Sequence, residues 1–129
     1  MKKLNFIALA GAVLFVTQTN SFAQGTMMPD GIKMSGGMLT DAKGMTLYTY
    51  DNDKKPGKSA CTGQCSTNWP AVTMATGSMV MGPWTTIARD DGSKQLAYKG
   101  KPLYTFAHDA KPGDMNGDGR GKVWHMAMP

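Results

Sequence analysis

Glutamate is absent from the 129-residue chain, so all nine acidic side chains are aspartates. This absence excludes the His-Glu-x-x-His motif of zinc proteases, in which the glutamate is the general base. The sequence also lacks the Gly-x-Ser-x-Gly nucleophile elbow and the Cys-x-x-Cys redox motif. A nucleophilic pair of Cys61 and His125 is the remaining catalytic arrangement, but the nearby Cys65 would trap that thiol as a disulfide. We therefore expect a protein that is not an enzyme.

Long apolar runs are also scarce. Residues 6–16 form one, but it is shorter than the roughly 20 residues that span a bilayer. It follows two lysines and precedes Ser-Phe-Ala at residues 21–23, a small-x-small sequence typical of signal cleavage. Residues 1–23 are thus predicted to be a secretory signal, and residues 24–35, which lack periodicity, a flexible leader. Because no cysteine at the cleavage site can accept a lipid, we expect a periplasmic or secreted chain without a transmembrane span.

Basic clusters are missing as well. The formal charge of +5 falls to +3 when Lys2 and Lys3 leave with the signal. The remaining lysines and arginines are scattered among aspartates, whereas a nucleic-acid footprint needs a basic stripe or patch. We expect no nucleic-acid partner.

Cysteine occurs twice, at Cys61 and Cys65. In an oxidising compartment a close pair of this kind is most often a disulfide. A bridge that closes so small a ring stabilises little globally, so we expect it to fix the shape of one loop. The alternative is a redox role, which requires a readily reducible bridge.

Short alternating segments, separated by Asp-Gly and Lys-Gly turn signals, make up the rest of the chain. Such segments are typical of antiparallel hairpins, and no window holds helical periodicity over three turns. The predicted fold class is mainly β, a small antiparallel β-domain over residues 36–129. The predicted strands are 38–40, 45–51, 84–89, 94–98, 102–107 and 122–128.

Two segments of this domain are divergent copies of one another. Residues 44–57 align without a gap with residues 100–113 and are identical at eight positions. Each copy later reaches a tryptophan, Trp69 or Trp124. The chain therefore reads as two divergent hairpin repeats, about 36–73 and about 84–129, that complete one core together.

The repeated motif carries a resemblance to a known family. Residues 48–53 and 104–109 both fit the pattern Tyr-x-aromatic-x-x-Asp, and a Cys-x-Gly-x-Cys loop leads to Asn-Trp-Pro at 68–70. With these motifs, residues 38–127 resemble the bacterial secreted repeats and predicted lipoproteins of unknown function. The resemblance implies an exported protein and brings no established activity. Many such relatives are lipoproteins, whereas this chain lacks a lipid-acceptor cysteine.

The motif residues are candidates for either a core or a binding groove. Alternate side chains of a strand share a face, so matched aromatics in two repeats most simply pack together as core. Asp53 and Asp109 precede Pro-Gly by three residues and are expected to accept backbone N–H bonds that close a turn. A groove that holds a flat or sugar-like ligand is the alternative. The aromatic candidates are Tyr48, Tyr50, Trp69, Tyr104, Phe106 and Trp124.

Residues 114–119 (Asp-Met-Asn-Gly-Asp-Gly) begin like a calcium loop, with oxygen ligands at alternate positions and glycine sixth. The bidentate acid that such a loop needs at its twelfth position is replaced by His125. Ordinary turn chemistry is therefore the favoured interpretation of this segment.

Methionine is the compositional outlier, with 12 in the chain. Met79 and Met81 are spaced by one residue, as are Met126 and Met128, and His125 adjoins the second pair. Soft thioethers select Cu(I), which makes these five residues candidate copper ligands. The opposing interpretation is that methionine fills irregular cores. The sequence indicates no other cofactor.

These observations predict an exported, non-enzymatic envelope protein. Its expected role is a binding or interaction module for an unknown small molecule or an envelope protein partner. A periplasmic Cu(I)-binding protein that uses Met and His ligands is one alternative, and a redox protein that uses the cysteine pair is another.

Overall fold

The computed structural model describes residues 28–75 and 77–129. Short antiparallel strands dominate, which confirms the predicted mainly β class. The predicted signal, its cleavage site and residues 24–27 of the predicted leader lie outside the described residues. The elements in chain order are β1 (Ile32–Ser35), β2 (Met38–Asp41), β3 (Tyr48–Tyr50), α1 (Gln64–Asn68), β4 (Thr73–Met74), β5 (Trp84–Ala88), β6 (Lys94–Tyr98), β7 (Lys101–Pro102), a 3₁₀ turn (Arg120–Lys122) and β8 (Trp124–Met126).

The described part of the chain begins with a β-hairpin. β1 pairs with β2 across Gly36 and Gly37, whose φ angles of 59° and 83° match the positive values that a tight hairpin turn requires. The prediction of a flexible leader up to residue 35 is therefore wrong from Ile32 onward. Ile32 is buried while the next three residues are exposed, so the strand lacks the alternation by which a sequence reveals it.

The largest sheet is centred on β6. β6 pairs along its length with β5, and its two ends pair with β4 and β7. The β5–β6 turn is closed by Asp91, whose carboxylate accepts bonds from the Ser93 hydroxyl at 2.6 Å and the Ser93 N–H at 2.9 Å. These bonds, and above all the one from the hydroxyl, hold the pKa of Asp91 below its usual value.

The two repeats meet at their motif tyrosines. Tyr48 N–H donates to Tyr104 O at 2.7 Å, and Tyr104 N–H donates to Tyr48 O at 2.9 Å. The two motif segments thus run antiparallel about an approximate two-fold axis. Both are shorter as regular strands than predicted: the first is strand only at Tyr48–Tyr50, and the second contributes only β7 and the bridge at Tyr104.

Each motif segment also pairs with the tryptophan segment of the other repeat. Ala127 N–H donates to Leu47 O at 2.8 Å, and at the equivalent place Val72 N–H donates to Leu103 O at 2.9 Å. The repeats are therefore interlocked through backbone hydrogen bonds. Neither repeat completes its sheet alone, and an isolated two-stranded piece is at best marginally stable in water.

The buried side chains form two adjoining clusters. An aliphatic cluster lies under the hairpin and the large sheet, and an aromatic cluster lies where the repeats interlock. Within the described residues, no helix has the length and apolar character that a membrane span requires. The buried members are Ile32, Leu39, Leu47, Trp84, Leu96, Leu103 and Ala127 in the first cluster and Tyr48, Cys61, Trp69, Tyr104, Phe106 and Trp124 in the second.

Candidate functional site

The tyrosine and aspartate of the repeated motif bond across the repeats. Tyr48 Oη donates to Asp109 Oδ2 at 2.6 Å, and Tyr104 Oη donates to Asp53 Oδ2 at 2.7 Å. We name these the Asp109 lock and the Asp53 lock. Because each phenol belongs to one repeat and its acceptor to the other, the motif joins the two halves of the molecule.

Burial keeps the two lock phenols protonated. It raises the pKa of Tyr48 and of Tyr104 well above that of a free phenol, and the bonds to the aspartates add to the effect. Burial also raises the pKa of Asp53. Both tyrosines are therefore neutral donors near pH 7, which suits a structural role.

We call the segment that follows each lock aspartate, residues 109–117 or residues 53–61, its acid loop. In the Asp109 lock this loop is held by backbone contacts. Asp109 Oδ1 accepts the Asn116 N–H at 2.9 Å, and Gly117 N–H donates to Tyr48 Oη at 3.2 Å. A β-carbon on Gly117 would lie 2.7 Å from Trp69 Cη2, so only glycine fits between these rings and the loop.

The Asp53 lock is held by one backbone N–H and by the Ser59 side chain. Asp53 Oδ1 accepts the Ala60 N–H at 2.6 Å, and the Ser59 and Tyr104 hydroxyl oxygens are 2.6 Å apart. Cys61 is the residue after Ala60 and is joined to Cys65 by a disulfide. Cys61 is fully buried within the aromatic cluster, so this bridge anchors the loop to the core.

A chain of hydrogen bonds from half-buried Arg89 to buried Gln95 connects the cysteine loop to the large sheet. Arg89 Nη2 donates to Cys61 O at 3.0 Å and Nη1 donates to Gln95 Oε1 at 2.7 Å, while Gln95 Nε2 donates to Leu103 O at 2.8 Å. Sequence analysis did not identify Arg89 or Gln95. Neither residue lies in the repeated motif, so no local pattern distinguished them from surface residues.

The aromatic rings of both repeats form one continuous stack. Trp69 and Trp124 are parallel within 1° at a centroid distance of 3.7 Å, and Tyr50 and Phe106 continue the stack at 4.1 and 4.2 Å. Trp69, Phe106 and Trp124 expose 7%, 4% and 5% of their surface. The rings pack chiefly against one another, so the geometry favours core over ligand groove.

A surface cleft lies beside the paired strands β3 and β8, and we name it the His125 cleft. His125 Nε2 and Asp51 Oδ2 are 2.8 Å apart at its wall, and its volume is about 240 Å³. Sequence analysis singled out His125, Met126 and Met128 but missed Asp51, whose only signal is that it follows the motif aromatic. The lining residues are Thr49, Asp51, Tyr98, Lys99, Lys101, His125, Met126, Ala127 and Met128.

The remaining candidate copper ligands lie elsewhere. Met79 and Met81 are on the segment between β4 and β5, expose 79% and 49% of their surface, and do not line the His125 cleft. The structure therefore brings together three of the five residues that the methionine pattern indicated.

The other repeat forms an equivalent cleft from the same backbone positions. Equivalent positions are found by aligning Trp69 with Trp124 and Tyr104 with Tyr48. On this alignment the lining residues Thr105, Ala71, Val72 and Thr73 correspond to Thr49, Met126, Ala127 and Met128 of the His125 cleft. The positions that correspond to Asp51, His125, Met126 and Met128 are held by Ala107, Pro70, Ala71 and Thr73, respectively.

The loop that resembles a calcium site is engaged in turn contacts. Asp114 accepts bonds from Lys111 Nζ and the Ala110 N–H, and the lysine bond chiefly lowers its pKa. Asp118 Oδ1 accepts the Met126 N–H at 3.1 Å. Across residues 28–75 and 77–129, no three His, Cys, Asp or Glu side chains are grouped to hold a metal ion.

The comparison with known families also finds two repeats in the chain. A family model described as a secreted repeat of unknown function matches the chain twice, over residues 32–73 and 85–128. The first match begins at β1, in agreement with the corrected start of the domain. No curated protein and no solved structure matches this chain.

Proposed function

The chain belongs to the family of secreted repeats of unknown function, and we propose that it is an exported, non-enzymatic module that binds a small ligand in the His125 cleft. The observation that carries this proposal is the internal comparison of the two clefts. Both repeats build a cleft from equivalent strand positions, and at these positions the His125 cleft has polar and thioether side chains where the other repeat has Ala107, Pro70, Ala71 and Thr73. The second cleft is lined instead by Asp30, Asp41 and Met74 from other segments.

The motif residues support the scaffold and leave the cleft as the binding surface. Tyr48, Tyr104, Asp53 and Asp109 are engaged in the two locks, and the tryptophans are stacked inside the core. A rigid, interlocked scaffold suits a binding site because the ligand then orders little of the protein on binding.

The size of the cleft favours a small ligand over a protein partner. Its volume of about 240 Å³ is below the roughly 300–1,000 Å³ of pockets for drug-sized ligands. The shallow pocket at the edge of the aromatic stack is a weaker candidate. The Arg120 guanidinium lies 4.9 Å from the centroid of Phe106 there and covers the ring.

The redox alternative has less support than the binding role. A catalytic disulfide needs an accessible sulfur for thiolate attack. Cys61 is fully buried in the aromatic cluster, and Cys65 is half-buried against it. The bond from Arg89 to Cys61 O also ties the loop to the sheet. We therefore propose that the bridge is structural.

Ligand binding is tested by NMR on the ¹⁵N-labelled chain. The probe is a small-molecule filtrate of the cell envelope of the producing bacterium. We expect shifts of the Thr49, Asp51 and His125 amides, which surround the cleft. An unchanged spectrum, or shifts confined to the aromatic edge, overturns the proposal.

A matched pair of variants locates the binding site. Thr49→Arg places a long side chain in the His125 cleft, and Thr105→Arg places one in the equivalent cleft of the other repeat. Both threonines are half-buried, so the two substitutions should change the stability of the fold by similar amounts. The shifts should vanish in Thr49→Arg and persist in Thr105→Arg, and the reverse pattern contradicts the assignment.

A further inference from the structure

We propose that the ligand of the His125 cleft is a small organic anion, held through its carboxylate or phosphate group by the ammonium groups of Lys99 and Lys101. Both lysines line the cleft. This assignment rests on the proposed function, because it names the chemical class of the ligand that the same cleft binds.

Two cross-strand pairs line the His125 cleft. Thr49 lies directly opposite His125 in the β3–β8 ladder, and Tyr98 lies directly opposite Lys101 in the β6–β7 ladder. Directly opposed side chains share a face of their sheet, whereas consecutive residues of a strand face opposite sides. Met126 therefore points away from His125 and packs against the aromatic cluster. The cleft combines a hydroxyl, an imidazole and an ammonium group, and it does not gather the soft donors that one metal ion would need.

Lys99 is held at the cleft by a tight turn. It forms the turn between β6 and β7 together with Gly100, and their φ angles are 51° and 81°. Such turns favour asparagine, aspartate or glycine, because a β-carbon is disfavoured at positive φ. The turn by itself therefore does not call for a lysine. The Lys99 ammonium lies 5.2 Å from the centroid of the Tyr98 ring, which also lines the cleft, so its charge is placed at the cleft wall.

The two clefts differ in the sign of their charge. The charged residues that line the His125 cleft are two lysines and Asp51, and Asp51 Oδ2 is already engaged by His125 Nε2 at 2.8 Å. In the equivalent cleft, Asp30 and Asp41 accompany a single lysine, Lys43. The His125 cleft thus carries an excess of positive charge and the equivalent cleft an excess of negative charge. A cleft lined by one sign of charge concentrates ligands of the opposite sign.

The lining of the His125 cleft suits a small molecule with both an oxyanion and a short carbon skeleton. A lysine ammonium offers three N–H donors and binds oxyanions as a point charge. The Thr49 hydroxyl adds a neutral donor, and Tyr98 and Ala127 offer apolar surface. The volume of about 240 Å³ limits the ligand to a few carbon atoms beside its charged group.

Anion binding is measured by NMR titration of the ¹⁵N-labelled, disulfide-bonded chain at low ionic strength. The probes are inorganic phosphate and, in a separate titration, succinate, and glycerol is the neutral control. We expect saturable shifts of the Thr49, Lys99 and Lys101 amides with at least one of the two anions and none with glycerol. The anion that binds more tightly distinguishes a phosphate ligand from a carboxylate ligand. An absence of saturable shifts with both anions overturns the proposal.

A matched pair of double variants tests the two lysines. Lys99→Asn/Lys101→Gln removes both charges, and asparagine suits the positive φ of the turn. We expect about a tenfold loss of affinity for the probe, the size expected for two exposed ion pairs. Lys54→Asn/Lys55→Gln makes the same change of charge at two exposed lysines outside the cleft and should bind the probe as the unmodified chain does. Equal losses in the two double variants would mean that only net charge matters, and they overturn the site.

A second pair separates the charge of the cleft from its shape. Thr49→Glu and Thr49→Gln introduce side chains of nearly equal size, and only the glutamate is charged. Because like charges a few ångströms apart repel, we expect Thr49→Glu to bind the probe about tenfold more weakly than Thr49→Gln. Equal affinities of the two variants contradict an anion site.

Failure of the anion and failure of the binding role give different results. The titration with the envelope filtrate is repeated on Lys99→Asn/Lys101→Gln. Cleft shifts that persist unchanged in this variant retain the binding module and exclude an anion as its ligand, whereas their loss supports the anion. A filtrate that shifts no cleft amide of the unmodified chain overturns the binding role itself.

Discussion

The two locks have the same tyrosine and aspartate but hold the acid loop in different ways. In the Asp109 lock, the carboxyl is buried and the loop packs Gly117 against Tyr48 and Trp69. In the Asp53 lock, the carboxyl is half-buried and the loop is held by Ser59, the disulfide and Arg89. The repeated motif therefore specifies the tyrosine–aspartate bond across the repeats. The contacts that close each loop differ between the two repeats.

The sharpest test of this comparison removes each aspartate in turn. Asp109→Ala leaves the buried Tyr48 hydroxyl and the Asn116 N–H without their acceptor, and we expect a loss of about 3 kcal/mol in the free energy of unfolding. Asp53→Ala should cost about 1–2 kcal/mol, because the Tyr104 hydroxyl retains Ser59 as a partner and the Asp53 carboxyl is only half-buried. Urea denaturation measures both. Equal losses would show that burial does not distinguish the locks.

Gly117 tests the packing that belongs to the Asp109 lock alone. The β-carbon of Gly117→Ala would lie 2.7 Å from Trp69 Cη2 and 3.0 Å from Tyr48 Cε1. Since overpacking of a close-packed site typically costs 1–3 kcal/mol, we expect a loss of about 2 kcal/mol. Ser59→Ala in the other lock serves as the comparison, and it should cost about 1 kcal/mol. A neutral Gly117→Ala would contradict the observed packing.

Removal of the disulfide tests how much this bridge contributes to the Asp53 lock. The chain-entropy relation gives about 2 kcal/mol for so small a ring, so the Cys61→Ser/Cys65→Ser double variant should fold with at most that loss. Hydrogen exchange should accelerate at the Ala60 and Cys61 amides and remain slow at Gly117. Equal acceleration in both acid loops would mean that the bridge supports the whole core.

The smallest expected effect is a pH dependence confined to the Asp53 lock. Burial raises the pKa of Asp53 in the fold, so its contribution to stability is present below the unfolded-state pKa and is lost as the pH rises through the folded-state pKa. Relative to Asp53→Asn, the unmodified chain should therefore gain stability between about pH 7 and about pH 4. Thermal unfolding across this range measures the difference, and a relative loss on acidification contradicts the cause assigned.

Secondary structure was predictable where turn signals bracketed an alternating segment that pairs in a regular ladder. β5 and β6 follow this rule, and both were predicted within one residue of their observed bounds. β1 was not predicted because Ile32 is its only buried residue. The motif strands were predicted too long because Tyr104 is held by single bridges to Tyr48 and Ala71 rather than by a regular ladder. Local periodicity does not report such irregular pairing.

The candidate site was predictable only as a set of residue types. The methionine spacing indicated five possible ligands, and three of them line one cleft. Met79 and Met81 lie apart, because separation in sequence does not determine which loops converge in space. Asp51 had no signal of its own, since its contact with His125 joins positions 74 residues apart.

The sequence by itself determined the β class, the repeat and the identity of the residues that repeat. Alternation, turn residues and the identical positions of residues 44–57 and 100–113 are local properties of the chain. Only the tertiary structure decided that each tyrosine bonds to the aspartate of the other repeat and that His125, Met126 and Met128 line one of two equivalent clefts. The physical reason is that hydrogen bonds and donor sites depend on distances across the fold. Those distances are set when the two interlocked repeats bury their shared aromatic core.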